Sequence, residues 1–338
     1  MRKFFLSLVV MLVASVFTGK VYAQSSTLAT LNHEGTIRTF YGITALKEAY
    51  GAAVDGDVIT LASGSYSAID LTKAVSICGA GMGLGAAKNV EPTILLGDFR
   101  LNLPENNTKR FSIEGIYHNG EIGYSNCQNA MFLKCRLNEI SYYSSPYKLK
   151  GISFVHCRIA KDFGLYFNCS VSLINCIVNE PWCVNTSSDT SVFDFTNCVL
   201  KGSASSLGYS TLRNCIFYNT TTNTFSSSTS LYNTVVFSSV SNVLDNIANN
   251  GTNIVTEDWP GVFKTYSGTK FEDSETFELT DEAKTKYLGT DGTEVGIYGG
   301  NLPFDPTPSN PQITKCNVAS KSTADGKLSV DIEVRAAE

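Results

Sequence analysis

Thr196-Asn197-Cys198-Val199-Leu200 is one copy of a phrase that runs through the middle of this chain, and its spacing decides the fold. The other copies are Leu133-Lys134-Cys135-Arg136-Leu137, Val155-His156-Cys157-Arg158-Ile159, Ile174-Asn175-Cys176-Ile177-Val178, Arg213-Asn214-Cys215-Ile216-Phe217 and Tyr232-Asn233-Thr234-Val235-Val236. Successive anchors, from Cys135 to Thr234, lie 22, 19, 22, 17 and 19 residues apart. A recurrence near twenty residues, built from short β-prone runs and Asn, means one turn of a parallel β-solenoid per copy.

Within each copy an apolar residue stands three before the anchor (Phe132, Phe154, Leu173, Phe195, Leu212, Leu231) and another two after it (Leu137, Ile159, Val178, Leu200, Phe217, Val236). With a bend between them, both sets and the anchor point inward, while residues between them point out. Asn175, Asn197, Asn214 and Asn233 fall at the bend, where Asn tolerates the left-handed conformation. Their amides are expected to stack and to hydrogen-bond along the solenoid axis. His156 takes the same place and reads as a structural member of that ladder.

Cys135, Cys157, Cys176, Cys198 and Cys215 should form an internal column. Neighbouring strands lie about 4.8 Å apart, whereas a disulfide wants its Cβ atoms nearer about 3.8 Å. These five therefore read as buried thiols acting as small hydrophobes. Zinc is the sharper alternative, but no Cys-x-x-Cys pair exists. Cys127 and Cys169 suggest a second, shorter column, and Cys78, Cys183 and Cys316 have no assigned place.

Arg2 and Lys3, the apolar run from Phe4 to about Phe17 and Val21-Tyr22-Ala23 read as a secretory signal peptide cleaved after Ala23. The expected location is secreted or cell-surface. No later stretch is apolar for long enough to span a bilayer. Loss of residues 1–23 removes Arg2, Lys3 and Lys20 and no acid, taking the formal net charge from −5 to −8. An acidic surface rich in Ser, Thr and Asn argues against nucleic acid as a partner.

Outward from the repeats, Gly42 to Tyr50 carries apolar residues at helical spacing, and Asp55 to Tyr66 reads turn, strand, turn. Residues 24–54 are then leader and N-terminal cap, and 55–300 the coil. Asn242 to Lys270 loses the period, and Phe271 to Gly300 is expected to close the last coil. Pro303, Pro306, Pro308 and Pro311 form a stiff connector. The remainder to Glu338 reads as a hairpin turning at Asp325-Gly326, docked on the solenoid or on another surface component.

The opening helix, Gly56-Asp57-Val58-Ile59-Thr60-Leu61, Gly64-Ser65-Tyr66, Ile77 to Gly81, the Asn-Cys bends and the Gly292 to Gly300 closure resemble the pectin-lyase-like superfamily. The resemblance covers roughly residues 40–300. It implies an all-β, single-stranded right-handed parallel β-helix with an N-terminal capping helix and a short C-terminal β tail. It leaves activity open, because that superfamily holds polysaccharide lyases, glycoside hydrolases, esterases, adhesins and proteins without known catalysis. A pectate-lyase-like site needs calcium on clustered acids and a base. No such acid cluster and no Arg-x-Pro-x-x-Arg segment is visible, so no cofactor is expected and calcium lacks a ligand set. Polygalacturonase-like Asn-Thr-Asp, Asp-Asp, Gly-His-Gly and Arg-Ile-Lys motifs are also missing.

One outer column then carries the functional expectation. Arg136 and Arg158 should point outward on adjacent turns, beside Glu139, Lys161, Asp162 and Glu180. Two guanidinium groups one turn apart can hold a carboxylate or sulfate of an acidic glycan. Glu139 and Glu180, two turns apart, have Cα atoms about 9–10 Å apart on this reading, which only loosely approaches the carboxylate separation of inverting glycosidases. The alternative is a solvated face of alternating charge. Tyr142, Tyr143 and Tyr147 offer sugar platforms or pack their own loop, and Trp182 has the same two readings with burial favoured. His33 and His118 show no partner in the sequence. The protein is thus expected to bind a polysaccharide along this face, with a lyase or hydrolase and a non-catalytic structural or adhesive protein as alternatives.

Overall fold

A computed structural model describes residues 27–335 other than 85–90, 105–107, 143–147, 166–168, 184–190, 202–206, 219–224, 239–242, 246, 259, 266–271, 273, 320 and 324. The expected signal peptide, Tyr143 and Tyr147 lie outside the described residues. The chain winds as a right-handed parallel β-solenoid of about 8 turns, with 48% strand and 6% helix.

The turns present two faces throughout and a third over five rungs among the described residues. The first is a 12-stranded sheet running from Thr36–Tyr41 and Leu28–His33 through Asn126–Leu133, Lys148–Val155 and Cys169–Ile174 to Ala248–Asn250. After a bend, the second face begins at Ile116, Arg136, Arg158, Ile177, Val199, Ile216, Val235 and Ile254. After a second corner, the third face holds Phe99–Leu101, the later halves of Ile116–Tyr124 and Arg136–Tyr142, then Phe163–Leu165 and Pro181–Cys183. Asn242 to Lys270, read as irregular, contributes Ala248–Asn250 and Ile254–Thr256 as a last, polar rung.

The bend residues share one conformation. Lys134, His156, Asn175, Asn197, Asn214 and Asn233 have φ of 51, 52, 48, 51, 55 and 45°. Gly115 has φ 63° and matches Lys134, which makes Ile116 the anchor of its turn. The five cysteines are fully buried, and each thiol donates to carbonyls that the bend turns inward. Cys198 Sγ reaches Leu173 O at 3.4 Å and Thr196 O at 3.3 Å. Thr234 keeps the pattern with its hydroxyl, bonding Leu212 O and Tyr232 O at 3.2 Å. Burial pushes the thiols of Cys135, Cys157 and Cys198 well above their ordinary range.

The N-terminal end is closed by the antiparallel hairpin Leu28–Tyr41 and the helix Ala45–Ala52, which buries Ala45, Leu46, Ala49 and Tyr50. Lys73 Nζ caps that helix by donating to Tyr50 O and Ala53 O at 2.8 Å. His33 does have a partner: its Nδ1 lies 2.7 Å from Asp57 Oδ1, tying the hairpin to the first turn. His118 faces the interior between Leu95 and Leu137 of adjacent rungs and is 1% exposed. Its Nε2 stands 2.9 Å from Gly97 O, so Nε2 carries the proton.

The described residues between 262 and 310 do not close the coil. They double back along the second face and its bend as a strap. Val262, Phe263, Phe277, Leu279, Tyr287, Val295 and Ile297 bury the outward residues Ile177, Val199, Ile216 and Val235 in a second apolar core. Burial is worth about 1.5–3 kcal/mol for each such side chain. Lys201, fully buried, pairs with both oxygens of Glu275 at 2.8 Å.

The ladder amides serve this strap, and the expected axial stacking of amides is replaced by bonds across the seam. Asn233 Nδ2 donates to Leu288 O at 3.1 Å, Asn214 Oδ1 accepts from Thr290 N at 2.8 Å, and Asn175 Nδ2 donates to Ile297 O and Gly299 O at 2.8 and 2.9 Å. A Cβ at Gly300, where φ is 80°, would overlap the Asn197 amide. The glycine-rich Gly289 to Gly300 therefore marks a close crossing of strap and ladder. The proline stretch continues the strap to the first turns, where Asn310 Nδ2 lies 3.4 Å from Gly79 O. The strands Gln312–Val318 and Val330–Arg335 follow and pair only with each other among the described residues.

Candidate functional site

The strap overturns the expectation that Arg158 is a surface ligand. Its side chain leaves the coil outward, but it is 1% exposed and donates from Nη2 to Glu272 O at 2.6 Å. Arg136, on the preceding rung, lies with its guanidinium carbon 4.4 Å over the Tyr117 ring. The two arginines are in register, yet they do not form an open anion clamp. One is a bolt for the strap and the other is stacked on an aromatic face.

The remaining candidates gather at the second corner. Two positions beyond the outward residue of the second face, the chain turns through a register shift between Leu137 and Glu139. That turn places Glu139 in register with Glu121, and Asp98 Oδ1 accepts from Glu121 N at 2.8 Å on the rung before. Asp162 O accepts from Ile140 N at 3.0 Å, and Glu180 O from Phe163 N at 3.4 Å, which continues the order. Asp98, Glu121, Glu139, Asp162 and Glu180 thus occupy five successive rungs. Lys161 sits among them, exposed, with its amide bonded to Asn138 O at 2.8 Å.

Crowding of carboxylates governs their chemistry. Burial, then the charges of Glu121 and Asp162, raise Glu139 above the usual carboxylate range, with Lys161 opposing. A hydrogen bond with Asp162, then burial, raises Glu180. Glu180 therefore takes up a proton more readily than an isolated acid does. Ser141 Oγ donates to Glu121 Oε1, holding that carboxylate against the rung. Among the described residues no group of three or more His, Cys, Asp or Glu side chains is placed to hold a metal ion.

Beside the acids runs a shallow strip on the third face. Phe99, Ile122, Ile140, Phe163 and Pro181 point into the coil, and Arg100, Gly123, Ser141, Gly164 and Trp182 form the outward column. Gly123 and Gly164 bring no side chain to the middle of that column, and both are themselves buried. Trp182 stands at one end, 39% exposed, where burial was favoured from the sequence. Tyr142, 45% exposed, lies one position further along the same face. Asp98 and Glu121 were not singled out in the sequence, because only the corner's register brings them into line. A hollow of about 230 Å³ elsewhere, between Asn233, Val235, Ile254, Lys286, Tyr287 and Val295, lies in the strap seam.

No family model, curated protein or solved structure matches this chain.

Proposed function

We propose that this chain is an exported glycan-binding β-helix of pectin-lyase-like type that takes an uncharged polysaccharide along the acidic corner and the third face. The observation that carries the reading is the exposed Trp182 at the end of a side-chain-poor strip flanked by in-register carboxylates. An indole face and a tyrosine ring stack on the apolar faces of sugar rings. Carboxylates accept hydrogen bonds from paired hydroxyls, and such charge-assisted bonds are strong. Five rungs extend about 19 Å, the length of a short oligosaccharide. Five carboxylates in line repel uronates and sulfates, and the arginine pair once expected to attract them is committed elsewhere. Neutral sugar is therefore the class favoured.

Affinity electrophoresis through gels cast with neutral glucans, mannans and xylans, or with polygalacturonate, tests this. Retention is expected in at least one neutral gel and none in polygalacturonate. Trp182→Ala should reduce that retention about tenfold or more, the scale of losing one stacking contact worth 1.4 kcal/mol or so. Retention by polygalacturonate alone, or retention indifferent to Trp182, defeats the proposal.

A second reading, glycoside hydrolysis, is favoured by Glu139 and Glu180, both raised above the usual carboxylate range and two rungs apart on one corner. Inverting hydrolysis uses one carboxyl held protonated and a second, ionised one far enough away to admit a water between it and the sugar. Release of reducing ends from the retained polysaccharide, lost in Glu139→Gln or Glu180→Gln, supports hydrolysis. No release from any retained polysaccharide removes it.

A further inference from the structure

The end of the strap is fastened differently from its beginning. Between Leu288 and Gly300 the holding groups are the amides of Asn233, Asn214 and Asn175, whose bonding does not change with pH. Between Leu302 and Ser309 they are ionisable, and beyond them the Asn310 amide bonds Gly79 O. His156 Nε2 bonds Leu302 O at 3.1 Å, and Lys134 Nζ donates to Thr307 O at 2.6 Å and pairs with Asp305 Oδ2 at 3.1 Å. Glu114 Oε1 accepts from Ser309 N at 2.7 Å.

His156 is central to this fastening. It stands where four later rungs carry Asn, it is buried, and its ring packs on Phe304 at a centroid distance of 6.0 Å. Because Leu302 O can only accept, Nε2 is the protonated nitrogen and Nδ1 the basic one. Nδ1 is buried and has no hydrogen-bond partner among the described residues. A proton added there makes a covered cation one rung from Lys134. The groups facing it are Lys134 on the rung before, the neutral amide of Asn175 on the rung after, and Asp305 on the strap. Burial, then Lys134, depress the imidazole below its ordinary value, against the pull of Leu302 O and Asp305.

We propose that the strap end from Leu302 to Asn310 is an acid-released clasp with His156 as its proton sensor, and that its opening frees the C-terminal hairpin from the solenoid. An exposed His titrates near about 6.5, and the clasped one takes its proton only at lower pH. The open form therefore binds protons more tightly between those values, and falling pH favours it. Asp305 opposes this through its backbone and its charge, and burial together with Lys134 outweighs it. Burial alone would raise its carboxyl, but Thr307 and Lys134 hold it below the usual range, so its pair with Lys134 persists. The hairpin follows because one residue separates Asn310 from its first strand.

Hydrogen exchange of the full chain at pH 7.5 and 5.0, corrected for intrinsic rates, tests the clasp. Peptides over 301–310 should lose about tenfold or more of their protection at pH 5.0, while peptides over 171–178 keep theirs. His156→Asn, which restores the ladder residue, should hold 301–310 protected at both values. Equal protection at both pH values in the wild type, or an unchanged pH response in His156→Asn, overturns the proposal. Should His156→Asn not fold, the imidazole Cε1 proton of the native chain decides. A titration midpoint below about 6.5 agrees with the clasp, and one at or above it refutes it.

Discussion

At the scale of single residues, the bend positions join two requirements in one side chain. Asn175 must adopt φ 48° and also donate to two strap carbonyls. Left-handed backbone costs about 1–2 kcal/mol for most residues and little for Gly, and each net hydrogen bond is worth about 1 kcal/mol. Asn175→Ala should therefore lower unfolding free energy by about 2–4 kcal/mol and Asn175→Gly by about 1–2 kcal/mol, read from urea midpoints. Equal losses would mean that only one of the two requirements is real. His118 brings a second residue-scale outcome. Burial holds its folded-state pKa below the unfolded value, so stability falls as pH drops below about 6.5. His118→Leu, matching Leu95 and Leu137 in its column, should flatten part of that fall, and denaturant midpoints at pH 7 and 5 would register it. The inward place of the bends was legible from Asn and Cys spacing. The partners of Asn175, His33 and His118 were not, because each lies on a segment that only winding brings near.

At the scale of elements, the strap is the piece that sequence reading placed wrongly. Gly292 to Gly300 looked like a closing coil because close backbone approach demands glycine in either setting. A signal was nevertheless present. Residues after the anchor alternate to the outside, yet Ile177, Val199, Ile216 and Val235 are apolar, the mark of strands covered on both faces. Arg136 and Arg158 occupy that position in earlier copies, which made the column look like a solvated charge track. Val199→Asp should put an unpaired charge beneath the strap, a change costing several kcal/mol. Proteolytic cleavage between residues 257 and 311 should then accelerate by more than about tenfold. Val192→Asp, on a side chain already 46% exposed, should leave the cleavage rate unchanged. Equal acceleration in both would deny the strap its role as cover for this face.

For the whole molecule, solenoid winding turns distant repeats into columns, and the strap decides which columns meet solvent. It covers the second face from Arg158 onward and leaves the corner of Glu121, Glu139, Asp162 and Glu180 open. The turn period was readable because it comes from local pattern. The choice of open flank was not, because it depends on a segment more than a hundred residues away in the chain. Zero-length carbodiimide coupling of the native protein, followed by peptide mapping, is the most direct test of that arrangement. Lys134 and Asp305 stand 3.1 Å apart, at the partly exposed end of the seam. A cross-linked peptide joining Lys134 to Asp305 is expected at pH 7.5. Coupling of Lys134 to carboxylates elsewhere, with none to residues 300–310, would contradict it.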